Sequence, residues 1–438
     1  MKSAQGRRAP RAAVAACLSI VAGSAWAQTT LELGAGVEHT DNVARTATDE
    51  ESETIGTASV KFGLKAERPR LTSDIGANLQ YRRYLDDTFD NELVGGLDGK
   101  VSYAFIPERF VLVVEDNYGQ IANDRSQVET PDNRQNFNYF TAGPDITLPL
   151  GARTAVQARG RWSDSYFENS EDDSQSVEGS LGLIRTLSEM TSVSLNASVS
   201  TVEFDESETL EDSEIREAFF RIDAIGARTT FFGDFGYTET EQGDIASDGP
   251  LVRLTVSRAI TPRSTLSLTA GSEFADTGTA FRLDQGAVGV QVGNQDVVAA
   301  ADVFRTNYAY LTFATEQERT SFSATARTNR ERHETQIALD RDVLGAEIAL
   351  TRRLTSRLSL ELRGTYNDEE FVETDIAFDE WGVGAGLLWQ LNTAWRLRLS
   401  GDHFSGAGDT VSGLGGVAVP RDYDENRAAL TVTYAIGR

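Results

Sequence analysis

Apolar and polar residues alternate with a period of two along most of this chain. At 193–199, Val193, Leu195, Ala197 and Val199 are separated by Ser194, Asn196 and Ser198, and the same alternation recurs at 71–85, 358–363 and 395–400. Successive side chains of a strand point to opposite faces, so this pattern predicts strands with one apolar face. No long segment has the periodicity of a helix. The pattern therefore predicts an all-β fold.

Short polar or proline-containing turns recur at nearly constant intervals. They centre near Pro69, Pro107, Pro149, Glu189, Gly226, Pro262, Glu318, Thr355 and Thr393. Neighbouring turns are 36 to 42 residues apart, except for one interval of 56 residues. A fixed period of this kind indicates a repeated supersecondary unit.

Each repeat contains two long strands, one short turn and one longer polar loop, which is the pattern of a transmembrane β-barrel. Nine turns give nine hairpins, and one strand at each end brings the total to about 20, within a range of 18–22. We therefore predict a single antiparallel up-and-down barrel at 28–438, with short periplasmic turns and long acidic outer loops. The longest interval, 276–305, is predicted to be an outer loop or an inward-folded plug. A secreted β-propeller is the alternative, but its blades need four short strands per repeat.

Aromatic residues stand near the predicted strand ends, where the two interfacial belts of a membrane barrel would lie. They are Phe110, Trp162, Tyr237, Trp381, Trp389, Trp395 and Tyr434. Aromatic residues also favour strands in general.

Residues 1–27 have the pattern of a cleaved secretory signal. Four basic residues precede an apolar stretch at 12–22, and Ala25 and Ala27 place small residues at the cleavage positions. A lipoprotein signal ending at Cys17 is the competing interpretation. The signal predicts export through the general secretory route and, with the barrel, a location in the bacterial outer membrane.

The 438 residues carry a net charge of −26, and removal of the basic signal makes it −30. Six predicted outer loops, at 41–54, 86–92, 167–175, 205–214, 239–248 and 367–380, contain 30 acidic residues and one basic residue, Arg45. They predict an acidic rim that contacts lipopolysaccharide, with divalent cations as bridges, or loops that are simply solvated. The spacing of an EF-hand is absent, so no metal or cofactor is predicted.

Basic residues fall on the polar faces of predicted strands. Charge facing lipid is costly, so we expect these side chains and nearby carboxylates to line the lumen. The lumen-lining candidates are Lys61, Lys65, Arg82, Glu115, Arg153, Arg159, Arg161, Asp234, Arg327, Glu347, Arg363, Arg396 and Arg398. Such a lumen suits a selective aqueous channel. The alternative is a filler of salt bridges that holds a narrow barrel together.

Residues for catalysis are sparse. His39, His333 and His403 lie near predicted strand tops, and Asp402 beside His403 points to the opposite face of its strand. No motif of a hydrolase or nucleotide-binding enzyme has a supporting context, so we predict that the protein is not an enzyme. The acidic composition argues against nucleic acid as a partner.

A family resemblance lies in the opening strand from Leu33 to Val43, the strand end at 81–84 and the forty-residue repeat of hairpins. In these features the chain resembles bacterial outer-membrane proteins of the putative β-barrel porin 2 type. Members of that family are associated with exopolysaccharide and capsule systems. The resemblance implies a porin-like channel for exported polysaccharide or small solutes, and partners among polysaccharide-export components and the barrel-assembly machinery. Tyr434 would replace the terminal aromatic signal of such barrels. A non-transporting structural or surface-interaction barrel remains the alternative.

Overall fold

The computed structural model describes residues 28–436, except 126, 170–172, 205–210, 277–301, 410, 413–417 and 420. Long strands account for most of this part of the chain. They are β1 (Gln28–Thr40), β2 (Glu53–Glu67), β3 (Leu71–Tyr84), β4 (Glu92–Ile106), β5 (Phe110–Ala122), β6 (Arg134–Pro149), β7 (Thr154–Phe167), β8 (Ser174–Ser188), β9 (Thr191–Phe204), β10 (Ser213–Ile225), β11 (Thr229–Gln242), β12 (Ile245–Thr261), β13 (Ser264–Asp276), β14 (Val303–Glu316), β15 (Thr320–His333), β16 (Arg341–Arg353), β17 (Leu358–Phe371), β18 (Ile376–Gln390), β19 (Trp395–Gly408), β20 (Val411–Ser412), β21 (Ala418–Val419) and β22 (Tyr423–Ile436).

Twenty of these strands form one closed antiparallel sheet. Each of the twenty strands pairs with the next of the twenty along the chain, so β19 pairs with β22. The first strand, β1, pairs with both β2 and β22, so that Leu33 lies opposite Tyr434 and the sheet has no free edge. The two-residue strands β20 and β21 form a separate small ribbon within the last loop. Closure satisfies the backbone hydrogen bonds of every wall strand without water. The prediction of a 20-stranded up-and-down barrel is confirmed, and the propeller alternative is wrong.

Nine short connections lie at one end of the barrel, and eight of the nine predicted turn centres fall inside them. The exception, Pro149, is the last residue of β6. Two 3-10 turns, Pro131–Asn133 and Ile337–Leu339, lie in connections at the opposite end. No helix among the described residues is long and apolar enough to cross a bilayer.

The outer loops differ from expectation in extent. Residues 239–248 and 367–380 are mostly strand, because β11 and β12 meet in a two-residue turn and β17 and β18 in a four-residue turn. Of the predicted loop at 276–305, Asp276 ends β13 and Val303 begins β14. The remainder of that segment, and the predicted signal at 1–27, lie outside the described residues.

An irregularity in β4 occurs at Gly95, whose φ is +128°. A Cβ atom at this position would lie 1.9 Å from the backbone oxygen of Asn78 on β3. Only glycine combines that backbone conformation with so close an approach. The Gly95 N–H donates to the side chain of Gln120 on β5, at 2.8 Å.

Candidate functional site

The two faces of the wall have opposite character. Leu195, Leu181 and Val177 are 61%, 57% and 58% exposed and lie on one face, because paired residues on adjacent antiparallel strands point to the same side. Near the turns the rings of Trp395 and Tyr434 lie 4.8 Å apart on this face. An exposed apolar face with aromatic residues is the lipid-facing surface of a barrel. The opposite face lines the lumen.

Most predicted lumen residues lie on strands, on the face opposite the exposed apolar side chains. They are Lys61, Lys65, Arg82, Glu115, Arg159, Arg161, Asp234, Arg327, Glu347, Arg363, Arg396 and Arg398. Arg153 is placed differently from its prediction, because β7 begins at Thr154 and Arg153 lies in the preceding turn. The turn forms there because the backbone of Leu150 and Gly151 bonds to Thr154 and closes the hairpin.

Many of these residues are held in ion pairs with neighbours that were not among the predicted lumen-lining residues. The pairs are Lys65–Asp74 at 3.0 Å, Lys100–Glu115 at 2.6 Å, Arg161–Asp145 at 2.8 Å, Arg221–Asp234 at 2.7 Å, Arg363–Asp402 at 2.7 Å, Arg398–Glu361 at 2.9 Å, Arg82–Glu38 at 3.1 Å and Arg396–Glu32. Arg159 and Arg327 donate instead to the amides of Gln157 and Asn367. The lumen wall is therefore charged but locally neutralised.

The loop between β5 and β6, residues 123–133, is braced from within; we call it the strap. Its buried Asn133 donates to the backbone oxygens of Asp124, at 2.8 Å, and Val128, at 3.1 Å. The side-chain oxygen Oδ1 of Asn133 accepts the Asp124 N–H at 2.8 Å. These bonds and the 3-10 turn Pro131–Asn133 give the strap a defined shape.

The strap reaches the far wall of the barrel. Arg125 of the strap donates to Glu369 of β17 at 3.3 Å. Eight strand spacings separate β5 from β17 by the shorter way round the wall, a path of about 38 Å at about 4.8 Å per strand. A direct ion pair between such distant strands requires the strap to cross the lumen near the loop end.

The far anchor of the strap is a buried ion network. Glu369 accepts from Arg341 at 2.7 Å, and Arg341 also donates to Glu331 at 2.6 Å. Arg341 is 1% exposed and Glu369 is 3% exposed in the side chain. Buried charges persist when each is paired and hydrogen-bonded, so this network fixes the position at which the strap docks.

A second loop also turns inward. Arg45, which follows β1, donates to Glu425 of β22 at 3.0 Å and to Glu380 of β18 at 3.3 Å, and its guanidinium lies over the ring of Tyr423. Burial alone would lower the pKa of Arg45, but nearby anionic groups, among them Glu380 and Glu425, raise it above its ordinary value. Arg45 is the one basic residue of the predicted acidic rim, and it lies 7% exposed inside the barrel mouth.

Two loop groups carry perturbed pKa values that fit this packing. Burial of Glu129 in the strap would raise the pKa of its carboxyl group, but Arg134 and Arg45 outweigh this effect and lower it. Burial lowers the pKa of Arg421, before β22, to about 10. The Arg421 guanidinium lies 3.8 Å from the Phe378 ring centroid and donates to the Arg125 carbonyl oxygen at 3.5 Å. Three loops therefore converge on one layer at the mouth.

This layer was not predicted from the sequence. Glu369 and Glu380 were counted only as rim acids, and Arg125, Arg341 and Arg421 were not selected. Ion pairs in this layer join residues up to 380 positions apart, so no local spacing reports them. The only local signal was the length of the polar segment between β5 and β6.

A closed, even-stranded antiparallel wall with an apolar exterior, a polar lumen and short turns at one end defines a transmembrane β-barrel of the bacterial outer-membrane class. No protein-family profile and no curated protein sequence matches the chain.

Among solved structures, the chain is similar to the ferric enterobactin receptor PfeA of Pseudomonas aeruginosa, with 10% identity, 93% of this chain and 80% of that chain covered, and a TM-score of 0.49. It is also similar to the siderophore receptor PirA of Pseudomonas aeruginosa, with 11% identity, 93% and 80% coverage and a TM-score of 0.44. The FrpB iron transporter of Neisseria meningitidis has 9% identity, 93% and 81% coverage and a TM-score of 0.45. The strand pairing by itself defines the barrel.

Proposed function

We propose that the protein is an outer-membrane channel for hydrophilic solutes, in which the strap narrows the outer part of the lumen. The observation that carries this proposal is a lumen lined by hydroxyl, amide and ion-paired side chains inside a lipid-facing wall. A barrel of 20 strands encloses more space than its own side chains fill. The ion pairs provide a polar surface without a large net charge.

The channel is tested by reconstitution of the full chain in planar bilayers. We expect stable conductance steps, and we expect larger steps when strap residues 124–132 are replaced by a short glycine-serine linker. The matched control replaces the outer connection at 334–340 in the same way. Absence of conductance from both the wild type and the strap variant would contradict the proposal.

For the finer function, we propose that the solute is an exported polysaccharide. The resemblance of Leu33–Val43 and the strand end at 81–84 supports it, as does a lumen whose paired arginines and carboxylates can bond to sugar hydroxyls. Polysaccharide-export components would then be partners on the periplasmic side. A deletion strain should secrete less polysaccharide, and complementation should restore secretion. Unchanged secretion would leave a channel for small solutes.

A non-transporting structural barrel is the second candidate, and the buried ion pairs at the mouth favour it. Arg341 and Glu425 are 1% and 0% exposed, so the layer around them is packed. In this case the strap would be a permanent brace. Conductance would then be absent while the deletion strain showed a defect in envelope integrity, measured as sensitivity to detergents.

A further inference from the structure

A polar patch lies on the outer wall of β5 and β6, on the side that faces lipid. Asp116, Tyr118 and Gln120 pair with Phe140, Asn138 and Asn136, so all six side chains point to the same side. The ring centroids of Phe140 and Trp162 lie 6.0 Å apart, and Trp162 is 42% exposed on the apolar face. We call Asp116, Tyr118, Gln120, Asn136 and Asn138 the wall patch.

The depth of the wall patch is unusual. Asp116 is the central residue of β5, which spans Phe110–Ala122. On the described strands, the other lipid-facing carboxylates lie within four residues of the loop end; examples are Glu239, Asp342 and Asp368. On β4, apolar Leu97 and Leu93 lie on the loop side of Asp116, and on β5 Val114 lies on its turn side. Asp116 therefore lies farther from the loop end of its strand than the other lipid-facing carboxylates of the described strands.

The wall patch is bonded only partly within the chain. Asn138 donates to Asp116 Oδ1 at 2.8 Å, and Tyr118 and Gln120 both donate to Asn136 Oδ1, at 2.9 and 2.8 Å. The bond from Asn138 is the one hydrogen bond that the Asp116 carboxylate receives within the described residues. A carboxylate at the bilayer centre is costly unless it is paired or faces protein. Lipid chains offer no donor for Asp116 Oδ2.

We propose that the wall patch is an interface with a second copy of this chain, related by a two-fold axis. A two-fold axis places the same patch on both partners, and amide and phenol groups both donate and accept hydrogen bonds. The Gln120 amide donates one of its two N–H groups to Asn136, so the second N–H of one copy can donate to Asp116 of the other. The wall patch has a carboxylate and no cation, so it complements neutral donors and repels anionic lipid headgroups.

Cysteine cross-linking tests the proposal, since the only cysteine, Cys17, lies in the predicted signal. Tyr118→Cys introduces a thiol in the wall patch, and Leu195→Cys on β9 is the matched control on exposed apolar wall. Cells carrying each full-length variant are treated with a short bis-maleimide, and outer-membrane extracts are run on denaturing gels. We expect a dimer band at least about tenfold stronger for Tyr118→Cys.

A second variant separates an interface from a lipid-facing wall. Asp116→Leu in the Tyr118→Cys background should abolish the dimer band, while the heat-modifiable mobility of a folded barrel is kept. Equal cross-linking of both cysteine variants would overturn the proposal. So would a cross-linked product of any mass other than a dimer, which would assign the patch to another protein. An unchanged dimer band after Asp116→Leu would also overturn it.

Discussion

A single substitution, Glu369→Gln, can break the ion pair between the strap and the far wall. The substitution keeps the size of the side chain and removes the charge that Arg125 and Arg341 share, at 3.3 and 2.7 Å. Arg341 retains Glu331 at 2.6 Å, so the wall side of the network survives. The strap loses the ion pair that fastens it across the lumen.

The size of the effect follows from burial. The side chains of Arg125 and Glu369 are 13% and 3% exposed, so the pair belongs with buried ion pairs, whose disruption costs about 3–5 kcal/mol. Taking about 3 kcal/mol as the preference for the docked strap, its loss changes the docked-to-undocked ratio by about 150-fold. A strap that is almost always docked in the wild type would be undocked for a large fraction of the time.

Single-channel conductance in planar bilayers measures this directly. We expect Glu369→Gln to increase mean conductance and to add fluctuations between two levels. Glu361→Gln is the control on the same strand, because its pair with Arg398 has exposures of 28% and 46% and is worth about 0–1 kcal/mol. If both variants conduct like the wild type, the strap does not limit passage and the reasoning is refuted.

Three further predictions concern pH, lipid contact and backbone strain. The folded pKa of Glu129 lies below its ordinary value of 4.5, so its stabilisation of the strap is present at neutral pH and lost as pH falls below that value; conductance should stay constant from about pH 7 to 5 and rise in more acidic buffer. Leu195→Arg on the lipid face should lower the unfolding free energy in vesicles by about 2–4 kcal/mol, whereas Asn196→Arg on the lumen face should change it much less, and equal losses would contradict the facing of β9. Gly95→Ala should lower the unfolding free energy by at least about 1–3 kcal/mol in urea titrations, because its Cβ would strike the Asn78 carbonyl oxygen; a neutral result would remove the argument for strain.

The strands of the wall were predictable from sequence because the alternation of side chains and the residues of the turns are local properties of the chain. Alternation reports a strand with one face in lipid, and the turns recur where hairpins close, as at Pro107 and Pro262. Prediction weakened where the strands leave the bilayer. At 239–248 both faces are polar, with Thr240 inside and Glu239 outside, so strand and loop have the same composition there.

The candidate site was only partly predictable for a different reason. Alternation indicates which charged residues point inward, but their partners lie on neighbouring strands, and sequence alone does not fix the register. Arg363 meets Asp402, 39 positions away, because β18 lies between their strands and Gly384 leaves space over it. The strap adds a contact across the lumen, for which the chain has no periodic signal.

The acidic residues at the outer end fall into two sets, because the strands extend through this region. In 367–380, Glu369 and Glu380 point inward and pair with arginines, whereas Asp368 and Asp379 face each other on the outer surface. Like charges directly opposed across a strand pair are destabilising, and exposed charges are screened by salt. The inward carboxylates are buried and are screened much less. Salt or divalent cations should therefore relieve repulsion around the rim while they leave the strap anchored, so the two acidic sets act independently although they alternate along the same strands.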